Sequence, residues 1–227
     1  MLNFFGVGGA FNVKEGNCSA YFVKDDSLII IDCGFTTFER SLKMIDQADP
    51  NNIHIFITHT HSDHIGSLGT VIDYVHHIKK GKVKVYFPSK DIVQMLTLTK
   101  VDESSYTFKS DMTNNFCGLQ FDFYETYHVG DNCYGIIMKS DKTKICYSGD
   151  CSEVPYLNKF LSGELKELYL DITDNKSKVH TMYDDLLKKV VKLQDRKRIT
   201  LMHFNEGFDK ERALKDGFNL AIVGRVD

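Results

Sequence analysis

The turn between Thr58 and Ile65 carries the side chains best suited to metal chemistry. Three imidazoles and one carboxylate fall within six positions of this turn, at His59, His61, Asp63 and His64. Imidazole and carboxylate groups in such a cluster suit a divalent transition metal, with zinc as the first expectation. Because the side chains leave the turn in different directions, we expect them to serve two metal ions. The alternative is a surface loop that is merely rich in histidine.

The elements on either side of this turn are a strand and a helix. The apolar run at residues 53–57 predicts the strand. Ile65, Leu68, Ile72 and Val75 recur at helical intervals and predict one amphipathic helix, which ends near Lys79-Lys80-Gly81. A strand, a turn rich in metal donors and a helix therefore follow one another.

The remainder of the chain alternates strands with helices, which predicts a layered α/β protein. Residues 1–35 read as a meander of short strands, and a capping box at Thr36 to Glu39 opens a helix over 37–47. Thr181 with Asp184 could cap a later helix. Further strands are predicted at 83–87, 119–123, 134–139, 144–148, 165–172, 198–203 and 218–226, and a further helix at 89–98. Residues 99–117 are polar and weakly patterned, which indicates an irregular loop that is either a lid or a surface excursion.

Four more candidate functional residues lie at or just past the carboxyl ends of predicted strands, as His59 does. They are His128, Asp150, Asp171 and His203. Loops at one edge of a sheet can bring together residues that are distant in sequence. Each residue alone has an ordinary explanation, and His203 beside the apolar run 199–202 would alone be read as a core histidine. Together with the turn at 59–64 they predict a shared site.

Length and composition indicate one soluble globular domain over residues 1–227. The chain is 42% hydrophobic and 26% charged, with a formal net charge of -3. No run of Lys and Arg exceeds three residues, so we expect no long nucleic acid as a partner. The amino-terminal residues do not resemble a secretory signal, and no apolar run is long enough for a membrane span.

Six cysteines without CxxC spacing read as reduced thiols and predict a cytoplasmic protein. A ligand role for Cys151 is the alternative to a core thiol.

The motifs resemble those of the metallo-β-lactamase superfamily, and within it the ribonuclease Z-like phosphodiesterases. The matching segments run through nearly the whole chain: Gly6-Val7-Gly8-Gly9-Ala10, Ile31-Asp32-Cys33-Gly34, Thr58 to His64, Tyr134-Gly135, Tyr147-Ser148-Gly149-Asp150 and Leu201-Met202-His203-Phe204. The resemblance implies a four-layer αββα sandwich with the site at one shared edge of two packed sheets.

The resemblance also implies the roles of the site residues. His59, His61 and His128 would hold one ion, Asp63, His64 and His203 the other, and Asp150 would bridge the two. The ions would be Zn²⁺, with Mn²⁺ or Fe²⁺ as alternatives. Asp32 is a candidate acceptor that orients a ligand imidazole, or else an ordinary turn aspartate. His180 would be the general acid, oriented by Asp171 where the family pattern has Glu.

The spacing of the motifs narrows the expected substrate. Only residues 129–149 separate His128 from Asp150, so the tRNA-grasping arm of ribonuclease Z enzymes is missing. In length and motif order the chain is similar to the anti-Pycsar proteins, which destroy cyclic pyrimidine nucleotides of a bacterial antiviral defence. This similarity implies hydrolysis of a small cyclic nucleotide by a homodimer, with Tyr106 and Phe108 in a lid formed by 99–117.

Three alternative functions are consistent with the same residues. The first is a ribonuclease Z-like RNA 3′-processing endonuclease without the arm. The second is another hydrolase of the same fold, acting on a β-lactam or a thioester. The third is a module that binds metal without catalysis.

Overall fold

Two mixed β-sheets, each in its own unit of the chain, form the framework of the computed structural model, which describes residues 2–224. Unit 1 comprises residues 1–112 with 222–227, and unit 2 comprises residues 113–221. The single domain expected from the sequence stays a prediction.

The sheet of unit 1 has six strands in sequential order. They are β1 (Asn3–Gly6), β2 (Ser19–Lys24), β3 (Ser27–Ile31), β4 (Ile53–Phe56), β5 (Val83–Tyr86) and β6 (Tyr106–Lys109). The pairs β1/β2 and β2/β3 are antiparallel, so the predicted meander is confirmed. The pairs from β3 to β6 are parallel. Every residue of β3 and of β4 is buried, as expected of parallel strands that are covered on both faces.

Four α-helices and one short 3₁₀-helix complete unit 1. They are α1 (Thr37–Gln47), α2 (Ser62–Ile65), α3 (Leu68–His77), α4 (Asp91–Leu98) and the 3₁₀-helix Glu103–Ser105. The bounds predicted for α1 are confirmed, but the predicted capping box is wrong. The Thr36 hydroxyl accepts a hydrogen bond from the Asn17 N–H (2.7 Å) instead of capping the helix.

The single helix predicted after the donor turn is also wrong, because the chain breaks between α2 and α3. The Ser67 hydroxyl donates to the Gly34 carbonyl (2.6 Å), and the Ser67 N–H donates to the Cys33 carbonyl (3.0 Å). The Cys33 N–H in turn donates to the His64 carbonyl (2.6 Å). A Cβ on Gly34 would lie 1.9 Å from the Asp63 carbonyl oxygen. The break therefore docks the donor turn on the loop after β3, and glycine at position 34 permits the close approach.

The irregular structure predicted for residues 99–117 is wrong for most of that segment. It contains the 3₁₀-helix and β6 in unit 1, and β7 (Thr113–Phe116) in unit 2. Both strands lie at an edge of their sheet, where polar residues are tolerated, so composition concealed them. Tyr106 is only 5% exposed, which leaves little of its ring for a ligand. A lid role for this segment stays a prediction.

The sheet of unit 2 has seven strands in the order β13-β12-β11-β10-β9-β8-β7. Besides β7 they are β8 (Leu119–Glu125), β9 (Tyr134–Lys139), β10 (Lys144–Tyr147), β11 (Glu167–Asp171), β12 (Ile199–Met202) and β13 (Asn219–Leu220). Pairing is antiparallel from β7 to β10 and parallel from β10 to β13. Since β8 and β10 are both antiparallel to β9, they run in the same direction as β11 and β12. The carboxyl ends of these four strands therefore lie at one edge.

The helices of unit 2 are short: α5 (Leu157–Leu161), α6 (Tyr183–Lys189), α7 (Leu193–Arg196) and α8 (Lys210–Lys215). The predicted Thr181 cap is wrong, because Met182 is the N-cap of α6 and the Thr181 hydroxyl donates to the Cys151 carbonyl (3.0 Å). Of the last strand predicted at 218–226, the structure contains β13, and residues 225–226 lie outside the described residues. Within residues 2–224, no helix has the length and apolar character needed to cross a bilayer.

The buried imidazole of His54 on β4 makes the stability of unit 1 depend on pH. Its imidazole is 5% exposed, and its Nδ1 lies 2.8 Å from the Tyr86 hydroxyl. Burial first, and then the charge of Lys84, lowers the pKa of His54 to about 4. An unfolded chain takes up this proton near pH 6.5, whereas the folded one does not until about pH 4. The folded state therefore loses stability as pH falls through this interval.

We expect the His54→Gln variant to lose less stability than the parent when the pH is lowered from 7.5 to 5. The difference should be on the order of 2 kcal/mol in the free energy of unfolding. Urea unfolding with EDTA present measures it without a contribution from metal release. The exposed His77→Gln variant is the control, and equal pH dependence in parent and His54→Gln would contradict the expectation.

Candidate functional site

Two neighbouring parallel strands of unit 1 place the first group of candidate residues. Asp32 directly follows β3, and His59 lies three residues beyond the end of β4. Parallel neighbours end at the same edge of a sheet, so the residues after β3 and β4 are brought together. Asp32 adopts a left-handed backbone conformation with φ of 65°, which turns the chain sharply as it leaves the strand.

The four metal donors predicted in the turn lie together in unit 1. The ring of His59 has its centroid 4.6 Å from that of His61 and 4.1 Å from that of His64. The Nε2 atom of His64 lies 3.3 Å from a carboxylate oxygen of Asp63. His59, Asp63 and His64 are buried, whereas His61 is exposed. The expected cluster is therefore present in this unit.

Hydrogen bonds determine which ring nitrogen these imidazoles present to a metal. His64 donates from Nδ1 to Asp32 (2.9 Å), and Nδ1 of His59 lies 3.1 Å from the Thr58 hydroxyl. Asp32 also accepts from the N–H of Thr58 (2.8 Å). Metal-binding histidines typically use one nitrogen for the ion and the other for a protein partner. Nε2 is thus the ring nitrogen that His59 and His64 leave for a metal, and the structure contains the expected contact between Asp32 and an imidazole of the donor turn.

The Asp32 carboxyl group is fully buried in this network. Burial raises its pKa, while the charge and hydrogen bond of His64 and the hydrogen bonds from Thr58 act in the opposite direction. Desolvation therefore disfavours the charged form of Asp32, and the imidazole beside it offsets part of that cost. The pair works as one unit that fixes the orientation of His64.

Replacing Asp32 with Asn should weaken metal binding about 10- to 100-fold. The amide has one acceptor oxygen, so it cannot accept from both Thr58 and His64 as the two carboxylate oxygens do. Competition with a chelating dye measures the affinity. Asp141→Ala, in the exposed turn between β9 and β10, is the control. Parental metal affinity in Asp32→Asn would show that His64 needs no acceptor.

Four strand ends place the second group of candidate residues in unit 2. His128 lies three residues beyond β8, Asp150 three beyond β10, Asp171 closes β11, and His203 directly follows β12. Gly149 (φ 59°) and His203 (φ 60°) adopt left-handed conformations where the chain leaves the sheet. A histidine in this conformation is strained, which is common where a side chain must be aimed at a site.

Asp150 has one carboxylate oxygen toward His203 and the other toward His128 and, at 3.9 Å, His180. Its Oδ2 is 3.6 Å from Nε2 of His128, and its Oδ1 is 3.4 Å from Nε2 of His203. Asp150 and His203 are buried, as is the His128 side chain. A carboxylate in this position can give one oxygen to each of two ions, with a different histidine beside each ion.

The other ring nitrogens in unit 2 are also held by the protein. His128 donates from Nδ1 to the Val179 carbonyl (2.8 Å). Nδ1 of His203 lies 3.2 Å from Asp171 Oδ1. The sequence did not predict either contact. Every residue has a backbone carbonyl, so residue type does not indicate which carbonyl accepts a hydrogen bond. The second contact of Asp171 depends on the pairing of β11 with β12. In each unit, imidazoles whose Nδ1 lies close to a protein partner stand beside carboxylates, and such donors fit divalent metal ions.

His180 pairs with Asp171 as the sequence suggested. Its Nδ1 is 2.8 Å from Asp171 Oδ2, and its ring lies 5.0 Å from that of His128 and 5.3 Å from that of His203. Burial alone would lower the pKa of His180, but the hydrogen bond to Asp171 and the charges of Asp171 and Asp150 outweigh it and raise the pKa. The His180 side chain is 27% exposed, so the ring can exchange a proton with a ligand.

The Cys151 thiol next to Asp150 fits the core interpretation. It is buried, its sulfur lies 3.6 Å from the Thr181 hydroxyl, and burial raises its pKa. The backbone N–H of Cys151, not its sulfur, contributes to the cluster by donating to Asp171 (3.0 Å). A metal normally binds the thiolate, so this burial disfavours a ligand role.

Comparisons with known proteins agree with the fold predicted from the sequence. The metallo-β-lactamase fold protein YhfI from Bacillus subtilis superposes with a TM-score of 0.74, at 16% identity, over 98% of this chain and 96% of that one. A diphosphatase from the PhnP family gives a TM-score of 0.76 at 20% identity, over 98% and 95% of the two chains. The metallo-β-lactamase fold is therefore confirmed, and a hydrolase occurs among the neighbours.

The sequence comparisons identify the family. The anti-Pycsar protein Apyc1 of Paenibacillus sp. (strain J14) is 24% identical over 237 aligned residues, which cover 93% of this chain and 91% of that protein. The family model described as Anti-Pycsar protein Apyc1 matches residues 1–225. The chain therefore belongs to the anti-Pycsar protein Apyc1 family.

Proposed function

We propose that this chain is a dinuclear, metal-dependent phosphodiesterase that hydrolyses cyclic mononucleotides. The observation that supports this most strongly is the position of Asp150, whose two oxygens lie next to two different imidazoles. A site for a single ion would not need a carboxylate whose two oxygens are directed toward different imidazoles. Two-metal sites are typical of enzymes that cleave phosphate esters.

The family motif assigns seven side chains to the proposed centre. His59, His61 and His128 would hold one ion. Asp63, His64 and His203 would hold the other, and Asp150 would supply a ligand to both. This assignment follows the family motif and agrees with the anchored Nδ1 atoms of His59, His64, His128 and His203. Zinc remains the first expectation for the metal, with manganese or iron as alternatives.

The ions, when bound, would lower the pKa of water and neutralise phosphate oxygens. The protein provides the proton for the other half of the reaction. Water attacks phosphorus and loses a proton to solvent, the bond from phosphorus to the ribose oxygen breaks, and His180 gives its proton to that oxygen. Asp171 holds Nδ1 of His180, so Nε2 is the atom that faces the leaving group. Asp171 also lies against His203, and it thereby positions the proton donor relative to a metal ligand.

A small cyclic nucleotide is the substrate class that the chain supports best. The family description names a function against a Pycsar system, and the sequence similarity implies cyclic pyrimidine nucleotides. The segment from His128 to Asp150 holds little beyond β9 and β10, so it has no room for an RNA-grasping arm. An anti-defence role and a homodimer stay predictions.

Hydrolysis of a substrate panel tests the proposal. The metal-loaded protein is incubated with 3′,5′-cyclic CMP, cyclic UMP, cyclic AMP and cyclic GMP, with precursor tRNA, and with nitrocefin and a glutathione thioester. We expect opening of cyclic nucleotides, its loss with EDTA, and its return with Zn²⁺ or Mn²⁺. Cleavage of tRNA alone would favour the RNA endonuclease, and turnover of nitrocefin or the thioester alone would favour the other hydrolases. No turnover of any substrate would favour the silent metal-binding module.

A further inference from the structure

A groove in unit 1 is lined by residues of the donor turn and of α3. It has a volume of about 350 Å³, and its walls come from the turn, α3, the end of α4 and Val101. Thr60 and Ser62, which flank the candidate ligand His61, are among the residues that line the groove. Gly69, Thr70 and Asp73 line it from α3, where spacings of three and four residues place them on one face of the helix. The lining therefore includes both neighbours of a candidate metal donor and the carboxylate of Asp73.

Asp73 and Thr99 provide hydrogen-bond acceptors in the groove. Asp73 is half-buried, and within residues 2–224 its carboxylate has neither a hydrogen bond nor an ion pair. The hydroxyl of Thr99 already donates to the carbonyls of Met95 (3.0 Å) and Leu96 (3.1 Å), so it offers the groove lone pairs. A carboxylate without a protein donor keeps its acceptor oxygens available to a ligand that carries N–H groups. The acceptor atoms of Asp73 and Thr99 are therefore complementary to N–H groups of a ligand.

The remaining lining suits a flat ring. Ile65, Met95 and Val101 provide apolar contact surface. Gly69 lies inside α3 with an ordinary helical backbone, where glycine costs about 1 kcal/mol relative to alanine. A Cβ at this position would lie 3.1 Å from Val101 Cγ2 and 3.9 Å from the Thr99 hydroxyl. Glycine therefore keeps the floor of the groove open between α3 and Thr99.

We propose that this groove binds the nucleobase of the substrate and that Asp73 selects a base with an exocyclic amino group. The inference rests on the proposed function, which puts the substrate phosphate beside His61. The base lies along α3 against the apolar wall, and its amino group donates to the Asp73 carboxylate. Cytosine carries such a group at the position where uracil has a carbonyl oxygen. The parent should therefore prefer cyclic CMP to cyclic UMP.

The Asp73→Asn variant tests the selection, because it keeps the size of the side chain and adds a donor. We expect kcat/KM for cyclic CMP to fall about 10- to 100-fold, as for loss of a hydrogen bond to a charged group. The value for cyclic UMP should stay the same or rise, because the amide can donate to the uracil oxygen. Bis-p-nitrophenyl phosphate, which has no base, should be hydrolysed at the parental rate. Asp91→Asn, at the start of α4 and outside the groove, is the control.

A binding measurement separates the failure of this inference from failure of the proposed function. In NMR titrations with CMP, the amide resonances of Gly69 and Asp73 should shift, and they should shift less in Asp73→Asn. An unchanged ratio of cyclic CMP to cyclic UMP turnover in Asp73→Asn would overturn the base-selecting role while phosphodiesterase activity stands. If the parent hydrolyses no phosphodiester, the proposed function fails, and the titration alone decides whether the groove takes a base. If the amide resonances of Gly69 and Asp73 do not shift on addition of CMP, the proposal that the groove binds a base is wrong.

Discussion

Asp150→Asn should lose about a thousandfold in kcat/KM on cyclic nucleotides and bind less than two metal ions per chain. The amide keeps the shape of the side chain but removes its charge and one of its two acceptor oxygens. In the structure each oxygen serves a different side of the site, one toward His128 and one toward His203. An ion contributes several kcal/mol of charge stabilisation, and each 1.36 kcal/mol is a factor of ten in rate. Activity assays with metal analysis by mass spectrometry measure both effects.

The control for this substitution is Glu153→Gln, an exposed carboxylate three residues further along the chain. It removes the same charge from the same loop and should leave activity and metal content at parental values. Two firmly bound ions and parental activity in Asp150→Asn would contradict the bridging role. A folded-state check by circular dichroism distinguishes loss of metal from loss of structure.

His180→Ala should lower kcat about 100- to 10,000-fold on cyclic nucleotides, the range for loss of a general acid, while both ions stay bound. The ribose oxygen is a poor leaving group and needs a proton as its bond to phosphorus breaks. In bis-p-nitrophenyl phosphate the leaving nitrophenolate is stable without a proton. We therefore expect this substrate to be hydrolysed by the variant at nearly the parental rate.

The dependence on the leaving group separates proton donation from a structural role. Asp171→Asn is the companion variant, because it keeps a partner for the imidazole but removes the charge that stabilises its protonated form. It should show the same selectivity for the leaving group, together with weaker metal binding through His203. An equal loss on both substrates in His180→Ala would mean that the residue holds the site together rather than donating a proton.

The local part of the site was predictable from sequence because the donors are neighbours. His59, His61, Asp63 and His64 occupy one turn between a strand and a helix, and the structure contains that turn and its cluster. The strand ends at 128, 150, 171 and 203 were predictable from apolar runs. Their meeting in unit 2 follows from four strands that run in one direction.

The contacts that orient the donors were not predictable in the same way. The bond from His128 to the Val179 carbonyl joins residues 51 positions apart, and no residue type marks a carbonyl acceptor. The break between α2 and α3 depends on the hydrogen bond from Ser67 to the loop after β3. The spacing of apolar residues does not indicate this contact. The helices α5, α7 and α8 have four to six residues, too few to show a helical period. The polar edge strands β6 and β7 read as loop for lack of apolar alternation.

The most direct test of the two-metal centre is anomalous diffraction from a crystal grown with zinc, recorded on both sides of the zinc absorption edge. We predict two peaks per chain, one beside Asp150 Oδ2 and His128 Nε2 and the other beside Asp150 Oδ1 and His203 Nε2. A single peak, or two peaks without contact to Asp150, would contradict the proposed centre.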